Sequence, residues 1–231
     1  MLSAMAAAGV FRLGGTIVGT NAFRLYEGPL GLRLPLGGVA ATRDLDIAQF
    51  EKLSLALEDR VEPALAETFA TLKFDPLPAV EPRRTWRWAQ GGSGQLVEFL
   101  TPAFGEERLR ALPALGVDAQ GLNYLNFLIA DPIPAAALYR AGVLVQIPRP
   151  ERFAIHKLIV ANRRRGAESP KSAKDRAQAA FLIEALAEDR PDDLSEALAT
   201  ARAAGPRWRA HLDATLARLP RTAAILDGLD G

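Results

Sequence analysis

Asp44 and Asp46 stand one residue apart in Thr42-Arg43-Asp44-Leu45-Asp46-Ile47-Ala48, a largely apolar, strand-like segment. In a strand, residues i and i+2 share a face, so the two carboxylates project side by side. Two like charges that close repel and lose hydration unless a cation or a proton lies between them. Magnesium suits such a pair, because its hard coordination sphere is commonly met by one or two carboxylates and substrate phosphates. The plain alternative is a polar strand end with both acids solvated. A third acid, Glu98, interrupts the apolar run Gln95-Leu96-Val97-Glu98-Phe99-Leu100-Thr101. If that run lies beside the first segment, three carboxylates could hold two magnesium ions, as in phosphoryl chemistry. Otherwise Glu98 is an edge-strand glutamate facing water.

Gly14-Gly15-Thr16-Ile17-Val18-Gly19-Thr20 has the glycine spacing of a P-loop, but Thr20 occupies the lysine position. It also fails the dinucleotide fingerprint, because Thr16 stands where the second glycine is needed. What is left is a strand ending in Gly19-Thr20 where a helix begins, a geometry whose N–H groups and hydroxyl can meet phosphate oxygens. A tight structural turn is the alternative. Basic charge is concentrated further along. Arg149 to Arg176 holds nine basic residues against three acidic ones, although the whole chain has a net charge of only +1. Such a segment suits a polyphosphate, or else forms a solvated helix face.

The chain has 231 residues, 49% of them hydrophobic and 24% charged, which fits an ordinary globular protein of one large domain or a domain with an appendage. The absence of cysteine excludes disulfides and thiolate metal sites, and His156 and His211 are too few for a typical structural zinc site. Met1 to Gly9 is small and apolar but lacks a basic leader, so it reads as neither a signal peptide nor a membrane span. A cytoplasmic, bacterial setting is the expectation.

The elements that must position these residues begin with a strand over Val10–Val18. Asn21 is expected to cap a short helix to Tyr26, stopped by Gly28-Pro29, with a Gly/Pro loop to Gly38. The strand Thr42–Ala48 precedes helical spacing from Ile47 to Phe74, divided at Pro63. Thr85–Gln90 and Gln95–Thr101 flank Gly91–Gly94 as a hairpin, and Leu138–Ile147 offers another strand pair. Pro148-Arg149-Pro150 marks a boundary. Beyond it the pattern predicts helices over Glu151–Arg165, Ser172–Glu188, Asp192–Ala204, Arg207–Leu219 and Thr222–Leu229, with caps at Ser172 and Asp192. The expected layout is therefore an α/β domain over 1–148 and a helical domain over 149–231.

Val18-Gly19-Thr20, Asp44-Leu45-Asp46 and Glu98 together resemble the nucleotidyltransferase superfamily with the DNA polymerase β-type palm. There, a hydrophobic residue and a Gly-Gly/Ser pair precede a D-x-D/E strand and a later acidic strand. Thr20 replaces the usual Gly or Ser, and the interval from Gly19 to Asp44 is longer than usual. Arg152 to Val160, Arg163-Arg164-Arg165 and Lys171 to Gln178 are similar to an uncharacterised bacterial nucleotidyltransferase-fold family and, more distantly, to abortive-infection nucleotidyltransferase toxins. The resemblance covers about residues 10–190. It implies an α/β (α+β) fold, a mixed sheet with flanking helices followed by a C-terminal helical bundle. Against that family the chain reads as a short version whose first strand lacks cover.

The resemblance further implies metal-dependent transfer of an NMP group from an NTP such as ATP. Asp44, Asp46 and Glu98 would be both catalytic and metal-binding, with Mg²⁺ or Mn²⁺ as the cofactor. Gly19, Thr20, Lys157, Arg163, Arg164 and Asp175 would bind nucleotide. The acceptor is open: RNA, protein or a small molecule. Alternatives are a non-catalytic protein of the same fold, a toxin–antitoxin component with a partner protein on its helical half, or a nucleic-acid binder using Arg163–Arg165 and Lys171–Arg176. Residue by residue, Lys157 could instead snorkel and Asp175 could be an intrahelical charge partner. His156 reads as a partly buried helix residue, and Trp86 with Trp88 as core packing.

Overall fold

The computed structural model describes residues 1–34, 37–164 and 169–230. Arg165 and residues 35–36 of the Gly/Pro loop lie outside the described residues. Contacts divide the chain into two units, one of residues 1–34 and 40–148 and one of residues 37–39 and 149–230.

In chain order the first unit comprises α1 (Leu2–Ala7), β1 (Thr16–Val18), α2 (Gly19–Leu25), α3 (Glu27–Leu30), β2 (Asp44–Ala48), α4 (Glu51–Ala56) and α5 (Leu65–Thr71). Then come β3 (Phe74–Pro76), β4 (Arg87–Gln90), β5 (Leu96–Ala103), β6 (Leu109–Leu112), β7 (Val117–Asn123), α6 (Leu125–Leu128), β8 (Ile133–Ala137) and β9 (Val143–Ile147). Seven strands form one mixed sheet in the order β1-β2-β5-β4-β3, with β7 also on β5 and β6 on β7. The β2–β5 and β5–β7 pairs are parallel and the rest antiparallel. β8 and β9 form a separate antiparallel ribbon.

Alternation within β2 and β5 decides which face is core. Leu45, Ile47, Val97 and Phe99 are buried, while Asp44, Asp46 and Glu98 point the other way and are half-buried. Under the apolar face, Phe69 of α5 packs 5.0 Å from Trp88 and 6.2 Å from Phe99, and Trp88 meets Phe99 edge-on at 84°. Each such ring stabilises the unit by about 1.5–3 kcal/mol through burial. This cluster anchors the strands that carry the acids.

Several boundaries differ from expectation. The strand expected over Val10–Val18 shrinks to Thr16–Val18, because residues 8–14 turn twice. Nor does β1 lack cover, since all three of its residues are buried, as are Met5, Ala8, Val10, Phe11 and Leu13 ahead of it. Asn21 lies inside α2, whose cap position is Val18. Gly28-Pro29 does not stop the helical path, which continues through α3 to Gly31 at φ 62°. The helical span from Ile47 to Phe74 is divided around Pro63 as expected, but Phe74 opens β3. The late strand pair is shifted, with β8 ending at Ala137 before the turn.

The second unit is helical: α7 (Pro150–Arg163), α8 (Pro170–Asp189), α9 (Pro191–Ala203), α10 (Pro206–Leu216) and α11 (Pro220–Asp227). Every one begins at a proline, whose fixed φ suits the first helical turn and whose missing N–H costs nothing there. The expected caps are corrected accordingly. Ser169 caps α8, its hydroxyl accepting from the Ser172 N–H at 3.2 Å, and Asp192 sits in the first turn of α9. Ser172 is buried instead, donating its hydroxyl to the Ala161 carbonyl at 2.7 Å and so tying α8 to α7.

Candidate active site

Sheet register, not proximity in sequence, brings the acids together. Asp46 and Glu98 are Cα partners in the parallel β2–β5 pair, and Asp44 sits two residues earlier on the same face. β5 has β2 on one side and β4 then β7 on the other, so Glu98 is on an interior strand and the edge-strand alternative is overturned. Across the antiparallel β1–β2 pair, Asp46 faces Val18, the residue before Gly19. One row therefore reads Val18, Asp46, Glu98.

Gly19 closes that row at one end. Its φ is +64°, a left-handed conformation that side chains disfavour, and a Cβ built there would lie 2.3 Å from the Asp46 Oδ2. Only a glycine lets the β1–α2 corner approach the carboxylate so closely. Thr20 follows with its side chain buried, and the Asn21 amide donates to the Asp44 carbonyl at 2.6 Å. Asn21 thus clamps α2 to the start of β2. The sequence position of Asn21 suits a helix cap equally well, and no local signal separates the two roles.

Three carboxylates on one face supply only hard oxygen donors, a donor set that fits Mg²⁺ or Mn²⁺. Beside Asp46 the Gly19 backbone approaches so closely that no side chain fits between them. As the side chains stand, however, no three His, Cys, Asp or Glu groups among the described residues are gathered tightly enough to hold a metal ion. Backbone register, rather than a closed chelate, is what the fold provides.

Sequence reasoning also missed Arg87, whose Cα pairs with that of Glu98 from the β4 side. Counting back from Glu98 through the Gly91–Gly94 hairpin would have found it. Trp88 is core, as expected, at 4% exposed.

Within the helical unit, Lys157 of α7 and Asp175 of α8 form a buried ion pair, Nζ to Oδ1 2.6 Å, with side chains 7% and 2% exposed. Arg164 holds the other Asp175 oxygen through its Nε at 2.5 Å. Asp175 is therefore an interhelical partner and not an intrahelical one, because α7 and α8 pack side by side. The Lys157 ammonium also lies 5.1 Å from the centre of the Phe153 ring, a cation–π contact instead of a snorkel into water. Burial pushes the Asp175 carboxyl up, but Lys157 and Arg164 together outweigh it and hold it below the usual range. Next along the helix, burial and the Lys157 charge drive the His156 imidazole down to about 3, leaving it neutral at pH 7. Arg163 ends α7 half-buried, beside the Asn162–His211 contact at 2.9 Å. Arg163, Arg164, Lys157 and Asp175 thus share one stretch of the helical unit.

Comparison with known proteins gives the class. The nucleotidyltransferase family matches residues 1–203, and the chain belongs to that family. Its mixed sheet with flanking helices and C-terminal helices is a nucleotidyltransferase-like fold, and the family's general role is nucleotidyl transfer. The crystal structure of an antigenic nucleotidyltransferase-like protein from Paracoccidioides brasiliensis is similar over 91% of this chain and 89% of that one, at 17% identity and a TM-score of 0.43. No curated protein matches the chain. Among the described residues no helix is long and apolar enough to cross a membrane.

Proposed function

We propose that the chain transfers a nucleoside monophosphate from an NTP to an acceptor hydroxyl in a divalent-metal-dependent reaction. One observation carries this reading: Asp46 and Glu98 share a register position on one face, with Gly19 bared against the Asp46 oxygen. Asp44, Asp46 and Glu98 are the residues that would hold the metal. Bound Mg²⁺ or Mn²⁺ would supply Lewis-acid polarisation and charge neutralisation.

The chain's own groups do the rest. Gly19 and Thr20 present N–H and hydroxyl groups to the triphosphate. Glu98 orients the acceptor hydroxyl and takes up its proton, for release to solvent. The new bond joins the acceptor oxygen to the α-phosphorus. The bond from that phosphorus to the bridging oxygen breaks, and pyrophosphate leaves. Lys157, Arg163, Arg164 and Asp175 are proposed as the helical unit's share of nucleotide binding, on the strength of the resemblance and of the two cations, Lys157 and Arg164, that meet the Asp175 carboxylate.

Isothermal calorimetry with Mg²⁺ and each NTP tests the reading. Binding to the wild-type chain that is lost in Asp46→Asn at unchanged melting temperature supports it. Absence of binding at millimolar nucleotide favours the non-catalytic alternative of the same fold.

A further inference from the structure

Arg83-Arg84-Thr85-Trp86-Arg87 leads into β4 and interleaves three arginines with an indole, beside the row of acids and within the same unit. The structure separates the two tryptophans of this stretch. Trp88 belongs to the aromatic core, whereas Trp86 is half-buried and has the Arg87 guanidinium over its ring, Cζ 5.0 Å from the centroid. Arg87 stands one strand beyond Glu98, on the side away from Asp46 and Gly19. If the triphosphate lies at the glycine corner, Arg87 is at the acceptor end.

The charges here differ in availability. Arg84 is taken by Glu81 and Asp118, each at 3.1 Å. Arg83 is exposed, with φ 66°, a backbone state uncommon for a side-chain-bearing residue. Neither Arg83 nor Arg87 pairs with a carboxylate among the described residues, and the Arg87 Nε is buried without a hydrogen-bond partner. The basic track stops at the exposed Asp75, opposite Ala89 two residues further along β4. A planar guanidinium stacked on an indole offers a π-face to a base and a fork to a phosphate. Arginine and aromatic side chains set together suit single strands, whose unstacked bases can reach them.

We infer that Trp86, Arg83 and Arg87 form a docking track for a single-stranded nucleic acid whose terminal hydroxyl is the acceptor. This deepens the transferase reading and rests on it for the chemistry; the docking itself stands on the track alone.

Fluorescence anisotropy of labelled oligouridylate and oligothymidylate, each about a dozen nucleotides long, tests the track. Wild-type protein binds, and affinity falls steeply between about 50 and 200 mM salt. Arg87→Gln and Arg83→Gln each weaken binding about fivefold to tenfold and flatten the log–log salt slope by about 0.7. Tighter binding of uridylate than thymidylate identifies RNA as the source, and the reverse identifies DNA. Should Arg87→Gln fail to fold, Arg83→Gln, on an exposed turn, carries the test. Undiminished binding by a folded Arg83→Gln/Arg87→Gln protein, or no wild-type binding at low salt, overturns the inference. Oligonucleotide binding without any NTP binding keeps the track and removes the transferase chemistry.

Discussion

Asp46 and Glu98 are 52 positions apart in the chain and occupy the same rung of the parallel β2–β5 pair. Two carboxylates that repel each other are fixed by backbone hydrogen bonds on the sheet face opposite the aromatic core. Nothing in that core needs an acid on the far side. The proposed chemistry rests on this placement and on the corner at Gly19.

Gly19→Ala tests the corner. The new Cβ meets the Asp46 carboxylate and the backbone keeps an unfavourable φ, costing about 1–3 kcal/mol. Thermal unfolding is expected a few degrees lower, and the affinity for Mg²⁺·NTP about tenfold weaker. Calorimetry showing wild-type affinity would remove the requirement for close approach.

Lys157→Met tests the buried pair. Removing one partner of a buried ion pair costs roughly 3 kcal/mol, here tempered by the remaining Arg164 contact. The Asp175 carboxyl is depressed in the folded chain, so its contribution is complete above the ordinary aspartate value of about 3.9 and is lost as pH falls through the folded value. Without Lys157 only Arg164 opposes burial, the depression is smaller, and acid unfolding followed by circular dichroism should begin at higher pH. An unchanged acid midpoint contradicts the assignment.

His156→Leu tests the neutral imidazole. The folded value is about 3 against an ordinary 6.5, so below pH 6.5 the unfolded chain binds a proton that the folded chain refuses. Stability is therefore full above 6.5 and falls as the pH drops towards 3. Urea titrations across that window should show a flatter pH dependence for His156→Leu than for wild type. Equal slopes would mean that the imidazole does not remain unprotonated in the folded state.

Ser169→Ala should cost about 1 kcal/mol by removing the cap on the Ser172 N–H. Ser172→Ala should cost more, because it leaves the buried Ala161 carbonyl without its donor. Denaturant unfolding that ranks them the other way contradicts the corrected cap.

Legibility in the sequence followed the range of the interactions. β2, the β4–β5 hairpin and the five late helices carry local period or turn signals, and they lie close to where their patterns predict. The helices start one or two residues earlier than the pattern predicts, because proline is the first residue of each and not punctuation outside it. β7 carries no clear strand signal because Asp118 and Gln120 make one of its faces polar and Asn123 ends the other, and β8 carries none because Pro134 and three alanines are weak strand formers. The Asp46–Glu98 rung could be posed only as a condition, since strand order depends on crossovers that no local pattern encodes. The clamp made by Asn21 depends on long-range placement of the same kind, whereas Arg87 follows from counting back through the β4–β5 hairpin.

The most direct measurement of the central claim is transfer of label from α-labelled NTPs, in Mg²⁺ or Mn²⁺, to components of a cell extract by wild type, Asp46→Asn and Glu98→Gln. Label should appear on an acceptor with the wild-type chain and vanish with both folded variants. Equal labelling by Glu98→Gln would show that the acid across the rung from Asp46 takes no part in the reaction.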